Sequence, residues 1–91
     1  MKYIIVDLEM NPLGSEFKKD WETCRNEIVE IGAVVLDEQY NEIGHFMTLV
    51  KPQMNAVIEG RIEKLTGITT KSVECAPCFK EAAEMFFVRR F

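Results

Sequence analysis

A chain of 91 residues has room for one small domain, because independent domains cluster near ~100–150 residues. With 47% hydrophobic and 29% charged residues it has the composition of an ordinary globular chain, which argues against disorder. Its longest apolar run falls far short of the ~18–20 residues that span a bilayer, so no membrane partner is expected. The net charge of −4 gives no support to binding nucleic acid through a basic surface. It is compatible with binding phosphodiesters through divalent cations, which requires carboxylates where the substrate sits.

Met1 and Lys2 lead straight into an apolar run with no small-residue cleavage site, which argues against a signal peptide and for a cytoplasmic protein. Residues 2–9 read as a strand: Tyr3 to Val6 is rich in β-branched side chains and is closed by Asp7-Leu8-Glu9. Asn11-Pro12-Leu13-Gly14-Ser15 then breaks it, and 15–26 reads as a polar loop with a turn of helix around Phe17 and Trp21. Ile28 to Leu36 is the second strand and Ile43 to Val50 the third, joined by a hairpin connection over 37–42. Short connections favour antiparallel neighbours, so a meander is expected. Consecutive apolar positions in the first two strands are the pattern of strands buried on both faces.

The remainder is helical. Ile58, Ile62 and Leu65 recur at helical spacing before Gly67, a stop residue. On that periodicity Leu65 is a core candidate. Pro77 suits a first helical position, and Phe79, Ala82, Ala83, Phe86 and Phe87 then form one apolar face. The fold class is α/β, a three-stranded antiparallel meander followed by two helices. Two helices can hardly cover both faces of the sheet, so the chain is expected to be a homo-oligomer or aggregation-prone.

Asp7 and Glu9 are two apart in a strand, so both side chains share a face, with Cα atoms roughly 6.6 Å apart. D-x-E at a strand end is most often a pair of solvated carboxylates. Here it ends a run apolar enough to be buried, where uncompensated charge is costly unless a cation neutralises it. Mg²⁺ and Mn²⁺ prefer such oxygen ligands, and a metal pair can activate a water and stabilise an in-line displacement.

Y-I-I-V-D-L-E-M-N (3–11) followed by N-E-I-V-E-I-G-A-V-V-L-D (26–37) resembles the opening of the DEDD exonucleases of the DnaQ and RNase T type. F-M-T-L-V-K-P (46–52), I-E-K-L-T-G-I-T (62–69) and A-P-C-F (76–79) resemble the same family in the same order. The resemblance implies a truncated ribonuclease-H-like domain over 1–91 that removes 3′-terminal nucleotides from single-stranded DNA or RNA with two Mg²⁺ or Mn²⁺ ions. It implies Asp7 and Glu9 as metal ligands and catalytic residues. Substrate contacts would come from the backbone of Met10 and Asn11 at the terminal sugar and from Leu65 under the terminal base. Glu30 resembles a family position but is read as structural. The distal acidic motif, the later Asp and the His of the family have no counterpart, and His45, in the third strand, is not the general base. The chain alone is therefore expected to be inactive.

Two further readings compete. The chain could be a catalytically dead remnant or interaction module that associates through its open sheet. Alternatively, Cys75-Ala76-Pro77-Cys78 at a helix start resembles a thioredoxin-type pair, but no hydrophobic strand precedes it. Three cysteines without a secretory signal argue against a disulfide framework, and a zinc site from Cys75, Cys78 and His45 would lack a fourth ligand.

Overall fold

Alternation along Asn26–Leu36 makes it the central strand. Val29, Ile31, Ala33 and Val35 are buried while the residues between them are half-buried. The computed structural model describes residues 1–90, and in it this strand, β2, pairs antiparallel with β1 (Tyr3–Pro12) on one side and β3 (Glu42–Leu49) on the other. A 3-10 helix, Ser15–Asp20, lies in the β1–β2 connection. The expected hairpin over 37–42 turns on Asp37, whose Oδ1 accepts the N–H groups of Gln39 and Asn41 at 2.9 Å each. These bonds hold the Asp37 carboxyl below its usual range and fix Tyr40 at a φ of 65°.

β1 runs through Asn11 and Pro12, where the sequence predicts a break. Proline lacks the N–H of a central strand but is tolerated on an edge strand, and β1 is at the sheet edge. The consequence for burial is large. Tyr3, Ile4, Ile5, Val6, Leu8 and Met10 are all exposed, so the two-faced burial expected of β1 is not reached among the described residues.

Glu9 pairs with Glu30 but Met10 pairs with Ile28, so Val29 is an extra residue bulged out of β2. The bulge splits the core. Val29 packs with Ile58, Ile68 and Val73, whereas Ile31 and Ala33 pack with Phe46, Val50 and Ala82. Leu49 joins the first cluster and its neighbour Val50 the second, which places the clusters on opposite faces of the sheet.

The first cluster is closed by two short helices, α1 (Gly60–Thr66) and α2 (Thr70–Val73). Gly67 ends α1 in the left-handed conformation at φ 80°, and its N–H reaches the Glu63 carbonyl at 2.8 Å. α2 is an element the sequence reading lacks. A reciprocal box starts it: the Ser72 N–H reaches the Thr69 hydroxyl at 3.0 Å, and the Thr69 N–H reaches the Ser72 hydroxyl at 2.9 Å. α3 (Phe79–Val88) covers the opposite face through Ala82 and Phe86. It starts two residues after Pro77, and Cys78 occupies the capping position. The expected apolar face of α3 exists, but Phe79 and Phe87 lie outside the core, and an apolar groove between α3 and β1 is lined by Val6, Leu8, Phe79, Ala83, Phe86 and Phe87.

Candidate active site

The register fixes which side chains meet on the face of β1 that carries Asp7 and Glu9. Asp7 stands opposite Gly32 and Glu9 opposite Glu30, in the antiparallel ladder. Directly opposed side chains in such a ladder have Cβ atoms about 4.5–5.5 Å apart. Glu30 therefore joins Asp7 and Glu9 as a third carboxylate on the same patch. Its carboxyl is pushed above the usual range, first by partial burial and then by the negative charges of Glu9 and Asp7. A Cβ at Gly32 would make only ordinary van der Waals contact, 3.7 Å from the Asp7 carbonyl oxygen, so a small side chain would fit there.

Two ion pairs among the described residues, Met1 with Glu38 and Arg61 with Glu59, involve other carboxylates. Oxygen-only donors that repel one another suit a hard divalent cation. Among the described residues, however, no three His, Cys, Asp or Glu side chains converge as a complete metal cage. Asp7 and Glu9 could hold such an ion only with waters or substrate oxygens filling the remaining positions, as is usual for Mg²⁺.

Asn11 follows on the same face of β1 and is fully buried. Its Nδ2 donates to the Val57 carbonyl at 3.0 Å and its Oδ1 accepts the Glu59 N–H at 2.9 Å. The side chain thus clamps the entrance of α1 to the end of β1, and only its backbone could face a ligand. Met10, one residue earlier, is exposed on the opposite face of the strand. Leu65, a core candidate on periodicity, is 80% exposed on α1. The residues that turn inward are Ile58 and Ile62, so the helical stripe is narrower than the sequence suggested. Asn11 thus brings the entrance of α1 to the end of β1.

The alternative sites lose ground. His45 lies in β3 opposite Val34, two residues along from the level of Asp7 and across the central strand from it, and its carbonyl accepts from Arg89 at 3.1 Å. Cys24, Cys75 and Cys78 are free thiols. Cys75 precedes the helix while Cys78 caps it, and hydrogen bonds from the Cys78 thiol and N–H hold the Glu81 carboxyl below its usual range.

The reading of Glu30 as structural did not include its place directly opposite Glu9, which depends on strand register and not on local spacing.

The exonuclease family model of the RNase T type matches residues 4–88. A Mycobacterium tuberculosis protein named as a bifunctional exonuclease/endonuclease is 39% identical over 85 residues, covering 93% of this chain and 12% of that protein. Among solved structures, the nuclease domain of 3′hExo, a DEDDh family member bound to rAMP, superposes with a TM-score of 0.80 at 22% identity, over 97% of this chain and 42% of that one. Cell-death related nuclease 4 (CRN-4) gives a TM-score of 0.77 at 21% identity, over 96% of this chain and 29% of that one. The chain therefore spans less than half the length of these relatives, and its meander with helices is part of a ribonuclease-H-like exonuclease fold. By the match over nearly its whole length, this chain belongs to the RNase T exonuclease family.

Proposed function

We propose that the chain is the first half of a 3′–5′ exonuclease domain in which Asp7 and Glu9 hold two Mg²⁺ or Mn²⁺ ions against the 3′-terminal phosphodiester of DNA or RNA. The observation that carries this reading is the register of β1 and β2, which gathers Asp7, Glu9 and Glu30 on one face beside Gly32. When bound, the ions would supply an activated water and charge stabilisation for an in-line displacement. The chain's own contribution is to collect negative oxygens at the strand end and to present a docking surface next to them. The exposed Leu65 would lie under the terminal base, with the backbone of Met10 and Asn11 against the terminal sugar. That the 3′hExo nuclease domain binds rAMP, and that a related 3′-exonuclease recognises the histone mRNA stem-loop, favours a nucleic-acid substrate for this chain too.

Mn²⁺ binding tests the reading directly. Titration of Mn²⁺ into the 91-residue chain, with free ion followed by its paramagnetic resonance, should give saturable binding. Asp7→Asn and Glu9→Gln should each weaken it about tenfold or more, with unchanged circular dichroism. Equal affinity in both variants, or none in the parent chain, rules the carboxylate assignment out.

A second reading rests on β1, whose apolar side chains are exposed on both faces at a free sheet edge. On that reading the chain associates through this edge and acts as an interaction module.

A further inference from the structure

β1 pairs with β2 along one side, and among the described residues no strand pairs with the other. From Tyr3 to Leu8 that side offers backbone N–H and C=O groups to a further strand. The two faces of β1 differ in chemistry. Val6 and Leu8 face α3, where with Phe79, Phe86 and Phe87 they line an apolar groove of about 190 Å³. Asp7 and Glu9 alternate with them onto the opposite face, where Glu30 stands across the ladder from Glu9. Asp7 is exposed and Glu9 half-buried, so both reach solvent beside the free edge. β1 itself, YIIVDLEMNP, holds two acids and no base. A second copy paired along this edge would therefore bring no positive charge from its own β1 to Asp7 and Glu9.

We infer that the free edge of β1 takes an extended segment of another polypeptide, one with lysine or arginine at two alternate positions and apolar residues between and around them. This deepens the reading of the chain as an interaction module and rests on it for the use of the edge. Backbone hydrogen bonds would hold the segment in the sheet, and alternate side chains would decide which segment fits. One set would fall over the groove and bury against Val6, Leu8 and Phe87. The other set would stand beside Asp7 and Glu9, where opposite charges on neighbouring strands attract. The same positive charges would offset the repulsion between Glu9 and Glu30 across the ladder. Self-association through β1 supplies the backbone pairing without the counter-charge, so a basic strand should displace it.

The experiment compares two peptides that differ only in charge. Both are fluorescein-labelled valine strands, one with lysine and the other with glutamate at two alternate central positions. Each is titrated with the 91-residue chain in EDTA, so that no cation competes for the carboxylates, and followed by anisotropy. The lysine peptide should bind about tenfold or more tightly than the glutamate peptide, because attractive cross-strand pairs replace repulsive ones. The Asp7→Asn/Glu9→Gln double variant should bring the two affinities together, weakening the first and strengthening the second. With the lysine peptide bound, hydrogen exchange should slow at alternate amides from Tyr3 to Leu8, and sedimentation should show one chain with one peptide. Equal affinity of the two peptides for the parent chain, or lysine-peptide binding that leaves the β1 amides unprotected, overturns the inference. The edge reading fails differently. A parent chain that neither self-associates nor protects β1 with either peptide removes the edge and the inference with it. Self-association through β1 that the lysine peptide does not displace keeps the edge and removes only the basic partner.

Discussion

Glu9 and Glu30 stand directly opposite one another across the β1–β2 ladder, immediately beside the bulge at Val29. Like charges in that position repel, and a bulge at the same place bends the strand and re-aims its side chains. Strand pairing thus sets two carboxylates against each other, with Asp7 two residues away on the same face. A cation or a proton relieves the conflict, and this gives the patch a pH signature.

Because partial burial and the charges of Glu9 and Asp7 raise the folded-state carboxyl of Glu30 above the usual carboxylate range, the folded chain holds a proton there more tightly than the unfolded chain. The associated stability is fully present below the unfolded value and is lost as pH rises through the folded one. Thermal melts without metal should therefore show a loss of stability on passing upward through the Glu30 titration. Glu30→Gln should abolish that component and add roughly 0.2–1 kcal/mol near neutral pH, the range for cross-strand pairs. Mg²⁺ should stabilise the parent chain more than the variant. A flat profile in the parent would mean that solvent screens the three charges from each other.

No turnover of single-stranded DNA or RNA is expected from the 91-residue chain with Mg²⁺ or Mn²⁺. On the proposed reading Asp7 and Glu9 would supply ligands for only part of a two-ion site, and His45 in β3 is placed opposite Val34, not at the carboxylates. A positioned base typically contributes about 10²–10⁴-fold and a second ion holds the leaving oxygen. The check is a radiolabelled 3′-end release assay on rigorously purified protein. Turnover that disappears in Asp7→Ala would show that the chain assembles a working site by itself.

The meander, the two outer helices and the carboxylate pair were legible in the sequence because each is written in local chemistry. β-branched runs, Gly67 after an amphipathic turn and a D-x-E spacing act within a few residues of themselves. What escaped depends on register or on distant partners. The alignment of Glu30 with Glu9 follows from the pairing of strands about twenty residues apart, and the bulge at Val29 sets it. Asn11-Pro12 read as a break because proline cannot donate in a ladder, and only the edge position of β1 removes that objection. Leu65 has the spacing of a core residue, yet Ile58 and Ile62 already fill the space beneath α1.

Asn11 should be worth more to stability than either neighbouring carboxylate. Its fully buried amide serves one donor and one acceptor of the segment leading into α1. Truncation to Ala leaves the Glu59 N–H and the Val57 carbonyl without these partners, at about 1–3 kcal/mol for each group that stays buried. Asn11→Asp keeps the acceptor for Glu59 but places a carboxylate oxygen against the Val57 carbonyl. Chemical denaturation should rank the chains parent, then both variants, with Asn11→Ala lower by roughly 2–4 kcal/mol. Hydrogen exchange at Glu59 should rise in Asn11→Ala more than in Asn11→Asp. Equal exchange in all three would show that α1 holds its place without the clamp.

The final expectation concerns what the open sheet does in solution. Ile5 and Val6 are 54% and 49% exposed on opposite faces of the edge strand, and Phe87 on α3 is 74% exposed beside the groove that faces β1. Each large apolar side chain left in water forgoes roughly 1.5–3 kcal/mol, against a total domain stability of only ~5–15 kcal/mol. The free N–H and C=O groups of an edge strand add a template for pairing with another chain. Natural sheets blunt such an edge with lysine, bulges or proline. Here the bulge lies in β2, and Pro12 comes only at the strand's end, so Tyr3 to Leu8 offers a continuous edge. The chain should therefore be an oligomer, most simply a twofold dimer joined through β1, or be poorly soluble. Sedimentation equilibrium at micromolar concentration measures this, and Val6→Lys, an exposed position on the edge, should shift the population towards monomer. A cooperatively folded monomer in the parent chain would show that α1, α2 and α3 cover enough of the sheet and that the exposed edge needs no partner.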